Sequence, residues 1–338
     1  MRNKYIIRSF MTAAIILILS SFYSLPYYVS KPGLAKELGP IIQVENGYEE
    51  AGSFMLTTVR MGKANIYSYA IAKLNPYHEL YQIDEIRREN ETDEEYNVRQ
   101  LHLMSSSKQS AIETAYKKAK IPIHYKYHGI FVLNVKPGMP ADGKLKAGDR
   151  IFKVDGKEFE SSDQFITYIS GKNEGDEVEF TFERQNKISE IKIALQKLQE
   201  TGKAGVGIAL VDDKEIEVKP NVTINSEDIG GPSAGFMFSL EIYNQLVEED
   251  YTRGYKIAGT GTINSKGVIG RIGGIELKIV AADKAGAEIF FAPKEGGAQD
   301  SNYNAAVKTA KDIGSKMKVV PVDTFDEAID YLYKLKSK

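Results

Sequence analysis

Residues 228–235 have the sequence Asp-Ile-Gly-Gly-Pro-Ser-Ala-Gly, a glycine-rich turn that leads into an apolar helical pattern. Proline suits a first helical position, where its missing N–H costs nothing, so the pattern predicts a helix that begins at Pro232. Ser233 would then lie at the helix N-terminus, among free backbone N–H groups and a positive dipole potential. This geometry suits a nucleophile, with the turn residues Gly230, Gly231 and Pro232 forming an oxyanion hole. A phosphate loop or a plain helix cap has the same local sequence, so these interpretations stay open.

A lysine further along the chain is the second unusual feature. Residues 272–286 predict a helix that starts after a glycine pair and is capped by Gly286. The helical neighbours of Lys278 are all apolar or small: Gly274, Ile275, Ala281 and Ala282. We therefore expect Lys278 on the buried face, where it loses basicity and can act as a general base. The alternative is a lysine whose stem extends along the surface to water, as we expect for Lys284.

Several further motifs follow in a fixed order along the C-terminal part of the chain. They are Gly-Pro-Ser-Ala-Gly at 231–235, Thr-Gly-Thr-Ile at 260–263, Gly-Val-Ile-Gly-Arg-Ile-Gly-Gly at 267–274, Ala-Ala-Asp-Lys-Ala-Gly-Ala at 281–287 and Phe-Ala-Pro-Lys-Glu at 291–295. With these motifs, roughly residues 205–335 resemble the proteolytic domain of the Lon family. The resemblance implies that Ser233 is the nucleophile, that Lys278 is the general base and that Thr260 supports the lysine. The family commonly has aspartate before Gly-Pro-Ser, whereas this chain has Gly230, with Glu227 and Asp228 close by.

Length and composition exclude several classes of protein. A chain of 338 residues is expected to form two globular domains. The formal net charge of −2 argues against a nucleic-acid surface, so we expect no nucleic-acid partner. The chain has no cysteine, and its four histidines lack metal-ligand spacing, so we expect neither a metal nor another cofactor. A Ser-His-Asp triad stays open, although no motif points to one.

Residues 1–30 suggest a membrane segment. Arg2, Lys4 and Arg8 precede an uncharged stretch at 9–29, and about 20 residues are enough to cross a bilayer. Because the positive flank comes first, we expect a cytoplasmic N-terminus and a catalytic domain outside the cell membrane. A cleaved signal peptide is the alternative, but no clean Ala-x-Ala site follows. We therefore expect a single-pass, uncleaved signal-anchor.

The segment at 36–120 combines strand-like and helical patterns. Residues 53–59 and 66–71 are rich in β-branched and aromatic residues, which predicts two strands. Residues 90–120 are charged and helical, with a capping box that begins at Thr92. We expect this segment to pack with the C-terminal domain, so that the region between them is an insertion. A solvated linker is the alternative.

The region at 121–198 resembles a PDZ domain. Its motifs are His-Gly-Ile-Phe-Val at 128–132, Gly-Met-Pro-Ala at 138–141 and Leu-Lys-Ala-Gly-Asp-Arg-Ile-Phe-Lys-Val-Asp-Gly at 145–156, followed by a helix at 162–170. The resemblance implies that the turn at Gly129 binds a peptide carboxylate and that the strand Ile130, Phe131, Val132 pairs with the peptide. A purely structural role for this region stays open.

The C-terminal domain, 205–338, alternates strands and helices, which predicts an α+β or mixed α/β fold. Two strands, at 206–211 and 217–225, should lead to the turn at Ser233. The chain lacks the Gly-x-x-x-x-Gly-Lys-Ser/Thr loop of an ATPase, so we expect no nucleotide partner. It therefore resembles the membrane-anchored PDZ–Lon-type peptidases of Gram-positive bacteria rather than Lon proper.

That resemblance implies an ATP-independent serine endopeptidase that cleaves extracytoplasmic peptides or small membrane-tethered proteins. The PDZ region would engage the substrate, with the substrate's C-terminus as one route of binding, and the oligomeric state stays open. A non-catalytic membrane scaffold with a decayed peptidase domain is the alternative. An anion or nucleotide site at Gly230–Gly235 is a second alternative, which the absence of a lysine in the turn disfavours.

Overall fold

A computed structural model describes residues 2–88, 91–199, 201–226 and 229–338. The helices are α1 (Arg2–Ser21), α2 (Ile66–Leu74), α3 (Ile83–Ile86), α4 (Asp93–Lys118), α5 (Ser162–Ser170), α6 (Gly235–Leu246), α7 (Ile275–Lys284), α8 (Asn302–Asp312) and α9 (Phe325–Tyr333). The strands are β1 (Ser24–Glu37), β2 (Ile42–Val44), β3 (Ser53–Asn65), β4 (Glu79–Gln82), β5 (Ile123–Val135), β6 (Arg150–Val154), β7 (Lys157–Glu158), β8 (Glu177–Arg184), β9 (Lys187–Ala194), β10 (Gln196–Lys197), β11 (Ala204–Gly205), β12 (Ile208–Val218), β13 (Val222–Ile224), β14 (Lys256–Gly259), β15 (Thr262–Ile263), β16 (Ile269–Gly270), β17 (Ile289–Pro293) and β18 (Lys318–Val322). The predicted mixed α/β architecture is confirmed.

One six-stranded sheet joins the two ends of the chain, in the order β18-β17-β14-β3-β1-β4. The C-terminal strands β14, β17 and β18 are parallel, and β3 continues them in parallel beside β14. Strands β1 and β4 then extend the sheet with antiparallel pairing. Much of the segment at 36–120 therefore completes a sheet that the C-terminal region begins, and the strand predicted at 53–59 forms part of β3.

The second strand predicted in that segment is wrong, because its residues form helix α2. Residues 66–71, which we expected to be extended, lie in α2. The Asn65 side chain accepts a hydrogen bond from the Ser68 N–H, and the Ser68 hydroxyl accepts one from the Asn65 N–H. This reciprocal capping box stabilises a helix start, and it outweighs the β-propensity of the isoleucines and tyrosines that follow.

Helices cover both faces of the six-stranded sheet. Helix α6 is buried over residues 235–244, where it packs against α4 and α9. Helices α7 and α8 pack together, and α8 contacts β17 and β18. Their apolar residues form a separate cluster with Met55, Ala258 and Phe290. The buried position of α6 and α7 brings the start of each helix toward the centre of the domain.

A second six-stranded sheet has the order β12-β5-β6-β8-β9, with β7 paired to β6. We expected residues 206–211 to belong to the C-terminal domain and to lead to the turn at Ser233. Instead, β12 pairs with β5 along its whole length, from Ile208 opposite Val135 to Val218 opposite Ile123. This antiparallel ribbon runs from the inserted region into the C-terminal region, so the connection is a long strand rather than a loose linker.

The N-terminal segment forms helix α1. Within the residues that the structure describes, no helix is long and apolar enough to cross a lipid bilayer. The side chains of Arg2 and Lys4, on which the predicted orientation depends, lie outside the described part of the chain, as do Glu227 and Asp228.

Candidate active site

The turn that precedes α6 differs from the sequence prediction in where the helix begins. Helix α6 starts at Gly235, and its N-cap is Ala234. Pro232 and Ser233 therefore lie in the turn itself, two to three residues before the helix, rather than in its first turn. The turn is sharp at Gly231, whose φ of 84° lies in the left-handed region that glycine adopts readily.

Three side chains from separate elements meet at this turn. Lys278 Nζ donates a hydrogen bond of 2.8 Å to Ser233 Oγ and another of 2.8 Å to Thr260 Oγ1. Thr260 Oγ1 donates in turn to the Ser233 carbonyl oxygen at 3.0 Å. The Gly261 N–H donates to the same carbonyl at 3.0 Å. The turn and the lysine, 45 positions apart, are thus joined directly and through Thr260.

Lys278 is held in this position by the burial of α7. Its side chain is 2% exposed, and burial lowers the pKa of Lys278 to about 7, because the ammonium loses its hydration. Gly274, the N-cap of the helix, has a left-handed backbone with a φ of 67° that ends the preceding loop. Lys284, near the other end of α7, is exposed. The structure places both lysines as the helical spacing predicted.

The backbone donors of the turn correct the predicted oxyanion hole. The Gly231 N–H donates to the Gln100 carbonyl oxygen at 3.1 Å, and Pro232 has no N–H to offer. Two of the three expected residues therefore supply no free donor. Among the described residues, the N–H groups of Gly230, Ser233 and Ala234 donate to no protein acceptor. These three groups are the backbone donors that the turn leaves available to an oxyanion.

Helix α4 holds the turn from the outside. Ser107 Oγ donates to the Pro232 carbonyl oxygen at 2.9 Å, in addition to the contact between Gln100 and Gly231. A Cβ on Gly235 would lie 2.4 Å from Ser107 Oγ, so a larger residue there would force the Ser107 side chain to move. The sequence analysis missed Gln100 and Ser107, because more than a hundred residues separate them from the turn and no local motif marks them.

A cleft of about 1300 Å³ opens over Ser233 and Lys278. Strands β1 and β3 form one wall, and helices α3 and α4 contribute to the other. Its rim carries partly or largely exposed apolar side chains, including Leu34, Met61 and Leu101. The cleft is large enough for an extended stretch of polypeptide, and its apolar rim suits side chains that a folded protein would bury.

The predicted peptide groove of the inserted region is corrected by the strand pairing. Ile130 and Phe131 pair with β12 on one edge of β5 and with β6 on the other. The Val132 N–H donates to the Asp149 carbonyl oxygen at 2.8 Å. Gly129, expected at a carboxylate-binding turn, lies within β5, and a Cβ there would lie 2.3 Å from the Ile151 carbonyl oxygen. Neither edge of this strand is therefore open to a peptide.

Strand β12 forms one edge of this sheet. In the described part of the chain, β12 and β9 are its two outermost strands, and α5 packs against β12 and against β11. The Ser162 N–H, at the start of α5, donates to Asp212 Oδ1 at 2.7 Å. Gly205 and Gly207 lie immediately before β12. A strand edge, a facing helix and a glycine-containing loop are thus present, but one strand away from where we expected them.

The inserted region and the C-terminal region each match a known protein family. Residues 97–195 match the PDZ domain family, and residues 191–334 match the Lon protease C-terminal proteolytic domain family. The first match begins within α4, the helix that contacts the turn before α6, and it ends before β12.

Comparison with known proteins finds Lon proteases that match part of the chain. The chain is 34% identical over 104 residues to the Lon protease of Mesomycoplasma hyopneumoniae, which covers 31% of this chain and 11% of the relative. It is 31% identical over 151 residues to the Lon protease of Malacoplasma penetrans, which covers 40% of this chain and 18% of the relative. The chain thus spans less than a fifth of the length of these relatives.

Two of the similar solved structures are PDZ domains from Listeria. The PDZ domain of the SdrC-like protein from Listeria monocytogenes is 40% identical, and it covers 25% of this chain and 90% of that chain, with a TM-score of 0.25. The corresponding PDZ domain from Listeria innocua is 43% identical and covers 24% of this chain and 92% of that chain, with a TM-score of 0.24.

Proposed function

We propose that this chain, which carries a PDZ domain and a Lon-type C-terminal proteolytic domain, is a serine endopeptidase with a Ser233–Lys278 dyad. The observation that carries the proposal is the 2.8 Å hydrogen bond between Lys278 Nζ and Ser233 Oγ at the floor of an open cleft. The likeness to the proteolytic domain of Lon proteases supports it. The dyad needs neither a metal nor another cofactor.

The geometry supports a two-step acyl transfer. The neutral Lys278 amine accepts the Ser233 hydroxyl proton while Oγ attacks the carbonyl carbon of the scissile peptide bond. The oxyanion receives hydrogen bonds from the backbone N–H groups of Gly230, Ser233 and Ala234 that lack protein acceptors. The Lys278 ammonium then returns the proton to the leaving amine. Water, activated by Lys278, hydrolyses the acyl-enzyme and regenerates the Ser233 hydroxyl.

Thr260 acts as a positioning residue in this scheme. Its hydroxyl accepts from Lys278 Nζ and donates to the Ser233 carbonyl oxygen, so it fixes both partners of the dyad. Because the hydroxyl binds the amine without adding a charge, it orients Lys278 and leaves the effect of burial on the pKa intact.

The proposed substrates are flexible polypeptides outside the cytoplasm, cleaved without ATP. The sequence has no P-loop, so this chain supplies no motor to unfold a stable domain. The N-terminal segment at 1–30 would anchor the enzyme in the cell membrane in a single pass, with the catalytic domain on the outer side, and small membrane-tethered proteins would then be within reach. A substrate peptide would add to the open edge of β12 opposite α5 and so be held near the cleft.

The test is cleavage of unfolded, fluorescently labelled casein by the purified full chain. Ser233→Ala should lower the rate by about a thousandfold or more and abolish labelling by a fluorophosphonate probe, because the nucleophile is lost. Ser337→Ala, at an exposed position that does not line the cleft, is the matched control and should keep full activity. Undiminished cleavage by Ser233→Ala would rule out the dyad.

The pH dependence of cleavage tests the base separately. The pKa of Lys278 is lowered to about 7, so the neutral base is the minor form below that pH and the major form above it. We therefore expect kcat/KM to rise with pH through an apparent pKa near 7. A rate that is flat between pH 6 and pH 9 would contradict the assignment of Lys278 as the base.

A further inference from the structure

Helix α2 presents an apolar face to its surroundings. Ile66, Ile71 and Leu74 are 45%, 54% and 87% exposed, while Ala72 is buried. At 100° per residue, the exposed side chains of Ile66, Ala70, Ile71 and Leu74 lie on one face of the helix. The outer face of a surface helix in water is ordinarily polar, and α2 reverses that arrangement.

This face adjoins the end of α1. The Tyr67 hydroxyl donates to the Leu17 carbonyl oxygen at 3.2 Å, and Asn65 Nδ2 donates to the Ser21 carbonyl oxygen at 3.0 Å. The end of α1 and the residues that follow it also expose large apolar side chains: Leu17, Ile18, Leu19, Phe22 and Tyr23. We call these residues, together with Ile66, Ile71 and Leu74, the α1–α2 face.

The sequence segments that carry the α1–α2 face contain only positive charges. They have no aspartate or glutamate from residue 2 to residue 36 or from residue 53 to residue 78. Arg60, Lys63 and Lys73 lie in the second of these segments, and Lys63 pairs with Asp93 at 2.9 Å. An apolar helix face with Lys73 beside it and no carboxylate on the helix itself matches the headgroup layer of an anionic bilayer.

We propose that α2 lies in the headgroup layer of a phospholipid bilayer, with Ile66, Ile71 and Leu74 facing the acyl chains and Lys73 the lipid phosphates. This inference rests on the proposed anchoring of α1, and it adds a second, interfacial contact that fixes how the catalytic domain stands on the membrane. A short interfacial helix of this kind inserts only its apolar face, about 5–10 Å below the phosphates.

Strand β3 connects this contact directly to the catalytic cleft. Thr57 lines the cleft, and Asn65, at the other end of the same strand, caps α2. Eight residues of strand span at most about 26 Å, so the cleft stands within that distance of the lipid surface. The substrates that fit this placement are the juxtamembrane stretches of membrane-tethered polypeptides, which emerge from the bilayer at the height of the cleft.

The chain contains no tryptophan, so one introduced tryptophan reports its own surroundings. The full-length Ser233→Ala protein would be reconstituted in vesicles of phosphatidylcholine and phosphatidylglycerol, with or without bromine on the acyl chains. Leu74→Trp probes α2, Ile18→Trp probes the anchor, and Ile188→Trp, at a site on β9 that is 69% exposed, is the matched control. We expect brominated lipid to quench Leu74→Trp and Ile18→Trp severalfold more than Ile188→Trp.

Each other outcome overturns the inference in a recognisable way. Quenching of Ile18→Trp alone keeps the anchor of the proposed function and removes α2 from the membrane. A Leu74→Trp emission that is blue-shifted but not quenched by brominated lipid would show a protein on this face, such as a second copy of the chain. If neither probe is quenched, both the anchor and the interfacial contact fail, whereas the catalytic dyad is tested independently by Ser233→Ala in solution.

Discussion

Two buried ionisable side chains lie on helices α7 and α6 of the proteolytic region, and they differ in what surrounds them. Lys278 is 2% exposed and Glu241 is fully buried. Burial lowers the pKa of Lys278 to about 7 and raises the pKa of Glu241 to about 7. In both cases the loss of hydration favours the neutral form, as expected for a charge in an apolar interior.

Their neighbours give the two groups different chemistry. Lys278 is bonded to the hydroxyls of Ser233 and Thr260 and lines the cleft, so its neutral amine has a proton donor within reach. Glu241 accepts a hydrogen bond from Gln245 Nε2 at 2.5 Å and lies near the acidic side chains of Glu50 and Asp250. Burial alone therefore does not make a catalytic group. A neutral lysine beside a hydroxyl can accept the hydroxyl proton, whereas a protonated glutamate among carboxylates keeps its own proton.

Replacing the base should have the largest effect. Lys278→Met keeps most of the volume and removes the proton acceptor, so we expect kcat/KM for casein to fall by a thousandfold or more, roughly 4 kcal/mol of transition-state stabilisation. The ascending limb of the pH profile near 7 should vanish with it. The measurement is steady-state cleavage by the full chain between pH 6 and pH 9.

Lys284→Met is the matched control on the same helix. Lys284 is exposed and does not line the cleft, so its loss should leave the rate and the pH profile unchanged. A comparable loss of activity in both variants would indicate damage to α7 rather than removal of a base. Retention of the pH limb in Lys278→Met would assign that limb to another group.

The burial of Lys278 could be predicted from the sequence, whereas the acidic cluster around Glu241 could not. Helical spacing makes the neighbours of Lys278 apolar, and that fixes its burial without knowledge of the fold. Glu241 lies on a helix that is buried on all sides, because α4 and α9 pack against α6. Asp250 follows shortly after α6, but Glu50 comes from a distant part of the chain, so no local pattern reveals the whole cluster.

The position of the peptide groove could not be predicted from the sequence either, because it depends on how the strands pair. The motifs around Gly129 correctly indicate a PDZ domain, but the edge of β5 is taken by β12, which starts more than 70 residues later. The sequence does not show which strand of a sheet is outermost. The oxyanion donors differ for a related reason, since the carbonyl that occupies the Gly231 N–H belongs to Gln100 on α4.

Glu241→Gln tests how the buried glutamate affects the stability of the folded protein. Because the pKa of Glu241 is raised from 4.5 to about 7, the folded state holds this proton more tightly than the unfolded chain. Wild-type stability therefore falls as the pH rises from 4.5 to 7, and the neutral glutamine avoids this loss. We expect Glu241→Gln to raise the free energy of unfolding by about 3 kcal/mol at pH 8 and to leave it nearly unchanged near pH 4.5.

Urea unfolding in the Ser233→Ala background measures this without self-cleavage. Glu248→Gln, an exposed position two residues beyond the end of α6, is the control and should change stability little at either pH. Glu241→Gln made in the active enzyme should keep the wild-type cleavage rate. A lower stability of Glu241→Gln at pH 8 would show that the buried glutamate is ionised and paired.

Thr260→Val tests the smallest effect, the orientation of the base. Valine matches the shape of threonine but removes the hydroxyl that accepts from Lys278 Nζ and donates to the Ser233 carbonyl oxygen. We expect kcat to fall about tenfold. The apparent pKa of the ascending limb should also move below 7, because the ammonium form of Lys278 loses more from a missing acceptor than the neutral amine does. Thr309→Val, which removes a buried hydroxyl bonded to the Ala305 carbonyl in α8, should change neither quantity. A tenfold loss with an unmoved pH limb would assign Thr260 a purely structural role in the turn, and the difference between Lys278 and Glu241 would then rest on Ser233 alone.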